Sequence, residues 1–96
     1  MGLPASRFID WDRPHCSPMQ RIGISNVFIN GRSAQKFGDY NTPHLKPSGT
    51  KCKTHTAYII TGSSTVRING MPAARTGDSI LGCTSVGIGS PNVFIG

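Results

Sequence analysis

Glutamate is absent from this 96-residue chain, and its only acids are Asp10, Asp12, Asp39 and Asp78. Three of the four recur at equivalent points of an internal repeat, where aspartate readily caps its own backbone in a turn. No carboxylate pair is left for acid–base chemistry, so no enzyme is expected. Long apolar runs are also missing: no stretch approaches the roughly 20 residues that a membrane-spanning helix needs. The N-terminus lacks a charged segment followed by an apolar one, so no secretory signal is expected. If the chain leaves a cell, it leaves by riding on another component.

What the chain has is glycine and proline, 12 and 7 residues, with 36% hydrophobic residues. That composition describes a small domain rich in turns, whose thin core a structural metal or an obligate partner commonly supplements. The net charge of +6 comes from 10 Lys and Arg set against the four acids. These cations are scattered, with no basic stripe interleaved with aromatics, so nucleic acid is not an expected partner. Gly87-Ile88-Gly89 fails as a nucleotide fingerprint because residue 92 is Asn92 where a third glycine is needed, and no small-molecule substrate is expected.

The dominant signal is repetition. Pro72-Ala73-Ala74-Arg75-Thr76-Gly77-Asp78 recurs as Ser33-Ala34-Gln35-Lys36-Phe37-Gly38-Asp39 and as Pro4-Ala5-Ser6-Arg7-Phe8-Ile9-Asp10. Ahead of the block, Val66-Arg67-Ile68-Asn69-Gly70 repeats Val27-Phe28-Ile29-Asn30-Gly31 at an offset of 39. The alternation of Val66, Arg67 and Ile68 predicts a half-buried strand, and Asn-Gly is the strongest short hairpin signal. Pro72, which cannot donate to a ladder, belongs at a strand start or edge. A third strand, Val93-Phe94-Ile95, stands just before the last residue. The copies and half-copies span about 4–15, 23–44, 62–83 and 89–96. The chain opens on a second half-repeat and closes on a first half, so pairing the ends completes three copies. A closed, three-fold pseudo-symmetric all-β architecture in one domain, residues 1–96, is therefore expected. The stretches from Asp10 to Gly23 and from Thr42 to Tyr58 show no periodicity and are expected to be loops.

Those loops carry all three histidines and two of the three cysteines. His15, His44 and Cys83 each stand five residues after a repeat Asp. Three-fold geometry would bring them to one axial point, and a tetrahedral site needs a fourth ligand. His55 and Cys52 both follow His44, and Cys16 adjoins His15. Mixed imidazole and thiolate donors favour one zinc. Catalytic zinc is disfavoured, since it needs an open position and a general base, and Asp12 is the only acid outside the repeat. Cys16 and Cys52 stand either as alternative ligands or as a disulfide pair.

Pro72-Ala73-Ala74-Arg75, the Gly62-Ser63 approach to Val66-x-Ile68-Asn69-Gly70 and the closing Gly89-Ser90-Pro91-Asn92-Val93-Phe94-Ile95 resemble the PAAR-repeat family over nearly the whole chain. The resemblance implies a small β-cone with a structural zinc near its vertex, on the model of three histidines and one cysteine: His15, His44, His55 and Cys83. It also implies a place on the blunt end of a homotrimeric β-helical spike in contractile injection systems, such as phage tails and type VI secretion machines. One copy per trimer would sharpen the spike for piercing a target envelope, as a structural component without enzymatic activity. Carriage of an effector on the spike is the alternative, and a zinc enzyme ranks below both. The chain holds no segment for an appended toxin domain, so a bare tip is expected. Its place is then a virion tail tip, or the bacterial cytoplasm followed by export with the spike. Two departures stand out: Ile9 replaces the glycine of the other copies, and the second copy reads Ser-Ala-Gln-Lys.

Overall fold

The computed structural model describes residues 2–14, 18–48, 51–81 and 84–96, with residues 45–48 and 51–54 described by their backbone alone. It is all-β, with no helix among the described residues. The strands are short: β1 Leu3–Pro4, β2 Phe28–Ile29, β3 Arg32–Ser33, β4 His44–Ser48, β5 Lys51–His55, β6 Arg67–Ile68, β7 Met71–Pro72 and β8 Phe94–Ile95. Each pairs antiparallel with one partner, in the order β1–β8, β2–β3, β4–β5 and β6–β7.

Asn-Gly turns close β2–β3 and β6–β7. Asn30 and Gly31 take φ of 54° and 77°, Asn69 and Gly70 take 50° and 81°. Positive φ at both central residues is the hairpin turn that matches strand twist, and few side chains other than Asn tolerate it. The third pair has no turn. Leu3 faces Ile95 and Pro4 faces Phe94, so the two ends of the chain make the ladder that a turn makes elsewhere.

The three pairs are then tied in a cycle. Isolated bridges join Arg7 with Ala34, Lys36 with Ala73, and Arg75 with Ala5. Inside them runs a closed ring of backbone bonds: Ser6 N–H to Ala74 O (3.0 Å), Ala74 N–H to Gln35 O (2.9 Å) and Gln35 N–H to Ser6 O (3.0 Å). Ala5, Ala34 and Ala73, all buried, pack there with Ile29, Ile68 and Ile95 as one apolar cluster. A second cluster gathers Ala57, Ile59, Ala74, Ile80 and Val86.

Each repeat aspartate builds a turn, as its position predicts. The N–H of Asp10, Asp39 and Asp78 donates to the carbonyl of Arg7, Lys36 and Arg75 respectively, at 3.1 Å in every copy. One carboxylate oxygen accepts the backbone N–H of the same Arg or Lys, at 2.9, 2.9 and 2.6 Å. The other oxygen accepts the side-chain cation at 2.9, 2.8 and 3.1 Å. The third turn residue must take positive φ, the mark of a type II turn.

The stretch expected to be a loop from Thr42 to Tyr58 is corrected in its middle. Residues 44–48 and 51–55 form the longest ladder among the described residues, with His44 opposite His55 and Ser48 opposite Lys51. Its sequence hides the strand period because Lys, Pro, Ser and Thr replace the apolar half of the usual alternation. Pro47 is tolerated because β4 has a partner on one side only.

Ile9 holds φ of 62° where Gly38 and Gly77 take 91° and 93°. A β-branched residue is strained there. Ile9 is 41% exposed, so it offsets little of this by burial. Ile9→Gly should therefore raise stability by about 0.5–1 kcal/mol. Gly77→Ile, where an added Cβ meets nothing within 4 Å, should lower it by about 1–3 kcal/mol. Urea unfolding of the two variants checks both signs.

Candidate metal centre

β4 and β5 begin and end on the two described histidines. Their pairing brings the imidazoles to 4.3 Å between centroids, edge to face at 66°. His44 is buried, and its Nδ1 lies 2.8 Å from the Thr42 carbonyl. A carbonyl only accepts, so Nδ1 carries a hydrogen and Nε2 is the ring atom placed for a metal. A backbone carbonyl behind one ring nitrogen is the usual way that a metal-binding histidine is oriented. The donor chemistry of this pair therefore fits zinc.

His15, Cys16 and Cys83 lie outside the described residues, as does the side chain of Cys52. Among the described residues, no group of three His, Cys, Asp or Glu gathers around a point. Of the four residues in the expected ligand set, the structure thus brings together His44 and His55.

Beside His44 the structure holds a buried polar cluster that the repeat reading did not single out. Arg21, Ile59 and Val86 occupy the same place in successive copies: each is fully buried, and each donates its N–H to the carbonyl of a repeat Asp. Two residues after those aspartates stand Asp12, Asn41 and Ile80, also buried. Two copies are apolar at the first position and one is cationic. Arg21 Nε lies 3.3 Å from Asp12 Oδ2, with both side chains out of solvent. Asn41 Nδ2 reaches Asp12 Oδ2 at 3.4 Å and Met19 Sδ at 3.1 Å, while Asn41 Oδ1 accepts the Ala57 N–H at 3.0 Å. The polar residue two places after Asp10 and Asp39 was the available signal.

Burial pushes the Asp12 carboxyl up to about 6, against the opposing pull of Arg21, Asn41 and His44. The folded chain thus holds this proton more tightly than the unfolded one. Asp12's contribution to stability is full below pH 3.8, its ordinary value, and is lost as pH rises towards about 6.

The PAAR motif family model matches residues 49–96, half of the chain, from β5 through β8. The chain belongs to the PAAR-motif family. Two Pseudomonas aeruginosa proteins from different strains are similar to it. The NAD(P)(+) glycohydrolase toxin Tse6 is 36% identical over 76 residues, covering 77% of this chain and 18% of the toxin. The (p)ppApp synthetase toxin Tas1 is also 36% identical over 76 residues, covering 77% of this chain and 17% of the toxin. The chain therefore spans less than a fifth of either relative, and PAAR-type sequence forms a small part of much longer toxins.

The polar cluster generates a prediction. Asp12→Ile alone leaves the Arg21 guanidinium buried without its carboxylate and should cost about 3–5 kcal/mol. Arg21→Ile combined with Asp12→Ile restores the residue types of Ile59 and Ile80 and should recover most of that loss. Denaturant unfolding of the untreated protein at neutral pH checks the loss in the single variant and its recovery in the double one.

Proposed function

We propose that this chain is a non-enzymatic spike tip: a three-fold pseudo-symmetric cone, pinned by one zinc, that caps the end of a homotrimeric β-helical spike. The carrying observation is the cycle of three strand pairs, tied by the same bridges and the same turn in each copy and closed by the chain's own ends. A monomer built this way offers three similar sides to a partner that has three identical chains. A blunt trimer gains a point, and contraction of the surrounding machine drives that point through a target envelope. Stiffness is the whole activity, and no bond is made or broken. Such a chain is made in the bacterial cytoplasm and departs with the spike, either in a secretion system or in a phage tail.

His44 and His55 support the zinc, with His15 and Cys83 completing the set, and Cys52 and Cys16 as substitutes. Zinc of this kind supplies folding free energy and closes its coordination shell with protein ligands. Elemental analysis of protein purified without chelator should give about one zinc per chain. X-ray absorption should find three nitrogen neighbours and one sulfur. Removal by chelator, or by acid below about pH 6, should abolish cooperative thermal unfolding, because each ligand must be deprotonated to bind. An unchanged melting temperature after full chelation defeats the structural role.

Effector carriage is a second reading, favoured by the two toxin relatives in which PAAR-type sequence is a small fraction of the chain. The two readings share the spike and differ in cargo. Native mass spectrometry of this chain mixed with its spike protein should show a 1:3 complex. A 3:3 assembly, or no complex with a trimeric β-helix, overturns capping; a toxin retained in the 1:3 complex selects carriage.

A further inference from the structure

The three seams between copies are built alike but carry different residues. In one, the Phe8 N–H bonds the Ser33 carbonyl; in the next, Phe37 bonds Pro72; in the last, Thr76 bonds Pro4, at 2.8, 2.9 and 2.9 Å. Phe8 and Phe37 are half-buried. Thr76, the smaller residue at the same place, donates its hydroxyl to the Gly87 carbonyl at 2.7 Å. That seam also carries one residue more. Ile88 bonds the Trp11 carbonyl as Ile22 bonds Tyr40 and Ile60 bonds Ser79, yet Gly87 is inserted between Ile88 and the buried Val86. A Cβ on Gly87 would stand 2.5 Å from the Trp11 carbonyl, so only glycine fits there.

The result is an open groove of about 710 Å³ on one side of the molecule, lined among others by Pro4, Trp11, Arg13, Thr76, Gly87 and Ile88. Its apolar walls face water: Trp11 is 47% exposed and Ile88 64%. A large exposed aromatic at a concave apolar site marks a binding surface rather than a core. Asp12 also lines the groove, but its side chain is out of solvent against Arg21. All four aspartates are buried, so no side-chain carboxylate reaches the surface, and Arg13 stands exposed at the groove. We propose that this groove holds an extended apolar, acidic segment of a partner polypeptide, one per chain. The tryptophan and proline walls suit an extended, proline-containing backbone, and the exposed Arg13, on a chain of net charge +6, suits its carboxylates. The inference does not rest on capping or on zinc.

Trp11 is the single tryptophan of the chain, so its fluorescence reports the groove directly. The full chain is titrated with the peptide acetyl-Pro-Leu-Asp-Pro-Leu-Glu-amide and with a counterpart carrying lysine at both acidic positions. A saturable blue shift with the acidic peptide is expected, with at least about ten-fold weaker binding of the lysine form. Thr76→Phe installs the residue of the other two copies and should weaken binding at least about ten-fold with the melting temperature kept. Ile88→Lys, at a position exposed enough to leave folding intact, should do the same. Equal binding by the lysine peptide, undiminished binding by both variants, or no saturable response overturns the proposal. So does a response confined to phosphatidylglycerol vesicles, which would assign the exposed tryptophan to a lipid surface.

Discussion

A ring of three backbone hydrogen bonds, linking Ser6, Ala74 and Gln35, is the constraint on which the rest of this fold depends. Three chain segments must approach within hydrogen-bond reach about a common centre, so the preceding residues have almost no room for a side chain. Alanine at 5, 34 and 73, each 0–1% exposed, is the answer in every copy. The ring position itself varies, and its neighbours adjust. Where it is Gln35, the amide folds onto the backbone N–H and carbonyl of Gly23, at 2.9 and 2.8 Å. Gly23 accepts this only because it has no Cβ, which would lie 2.6 Å from the Gln35 oxygen. A buried amide thus costs little, since both of its polar atoms are satisfied.

The acids serve the same architecture, and that determines the surface. Asp10, Asp39 and Asp78 each stitch a turn and hold the cation three residues before it; Asp10 also holds Arg32. Asp12 faces Arg21 in the interior. Five cations are thereby drawn into ion pairs, while three of the remaining five, Lys46, Lys51 and Lys53, fall on β4 and β5. With no exposed side-chain carboxylate to offset them, the charge of +6 acts outward. Long-range attraction to an anionic partner speeds encounter more than it strengthens the docked state. In the proposed assembly, it would orient the approach while apolar contacts set the lifetime.

How much of this was legible in the sequence depended on whether a residue's role repeats. The Asn-Gly turns, the aspartate turns and the pairing of the chain ends were readable because one physical requirement recurs at fixed spacing. His44 and His55 were readable as ligand types, and their meeting follows from a ladder that was not foreseen. β4 and β5 lack the alternation that betrays a strand, since Lys, Pro, Ser and Thr stand where it would place apolar residues. Arg21 was hidden for the opposite reason: the repeat predicts an apolar residue there, as Ile59 and Val86 are, and only the buried Asp12 explains the exception. The Thr76 groove was equally hidden, since a small polar residue in a turn draws no notice until it is set beside Phe8 and Phe37 at the equivalent positions.

Repetition and its violations therefore divide the molecule's work. What the proposed trimeric partner would need must be present three times, and the alanine ring, the aspartate turns and the strand pairs meet that condition. What occurs once is wasted on such a partner, because a three-fold face presents the same chemistry at every third of a turn. Threonine in place of phenylalanine at position 76 and the inserted Gly87 occur once. Gly87 admits no side chain, and the groove exposes apolar surface to water at a cost of about 25 cal/mol for each Å² that a partner would cover. A purely structural molecule would cover that surface by reusing phenylalanine at position 76. That it does not is the physical argument for a partner that approaches from the side, independently of whatever lies along the axis.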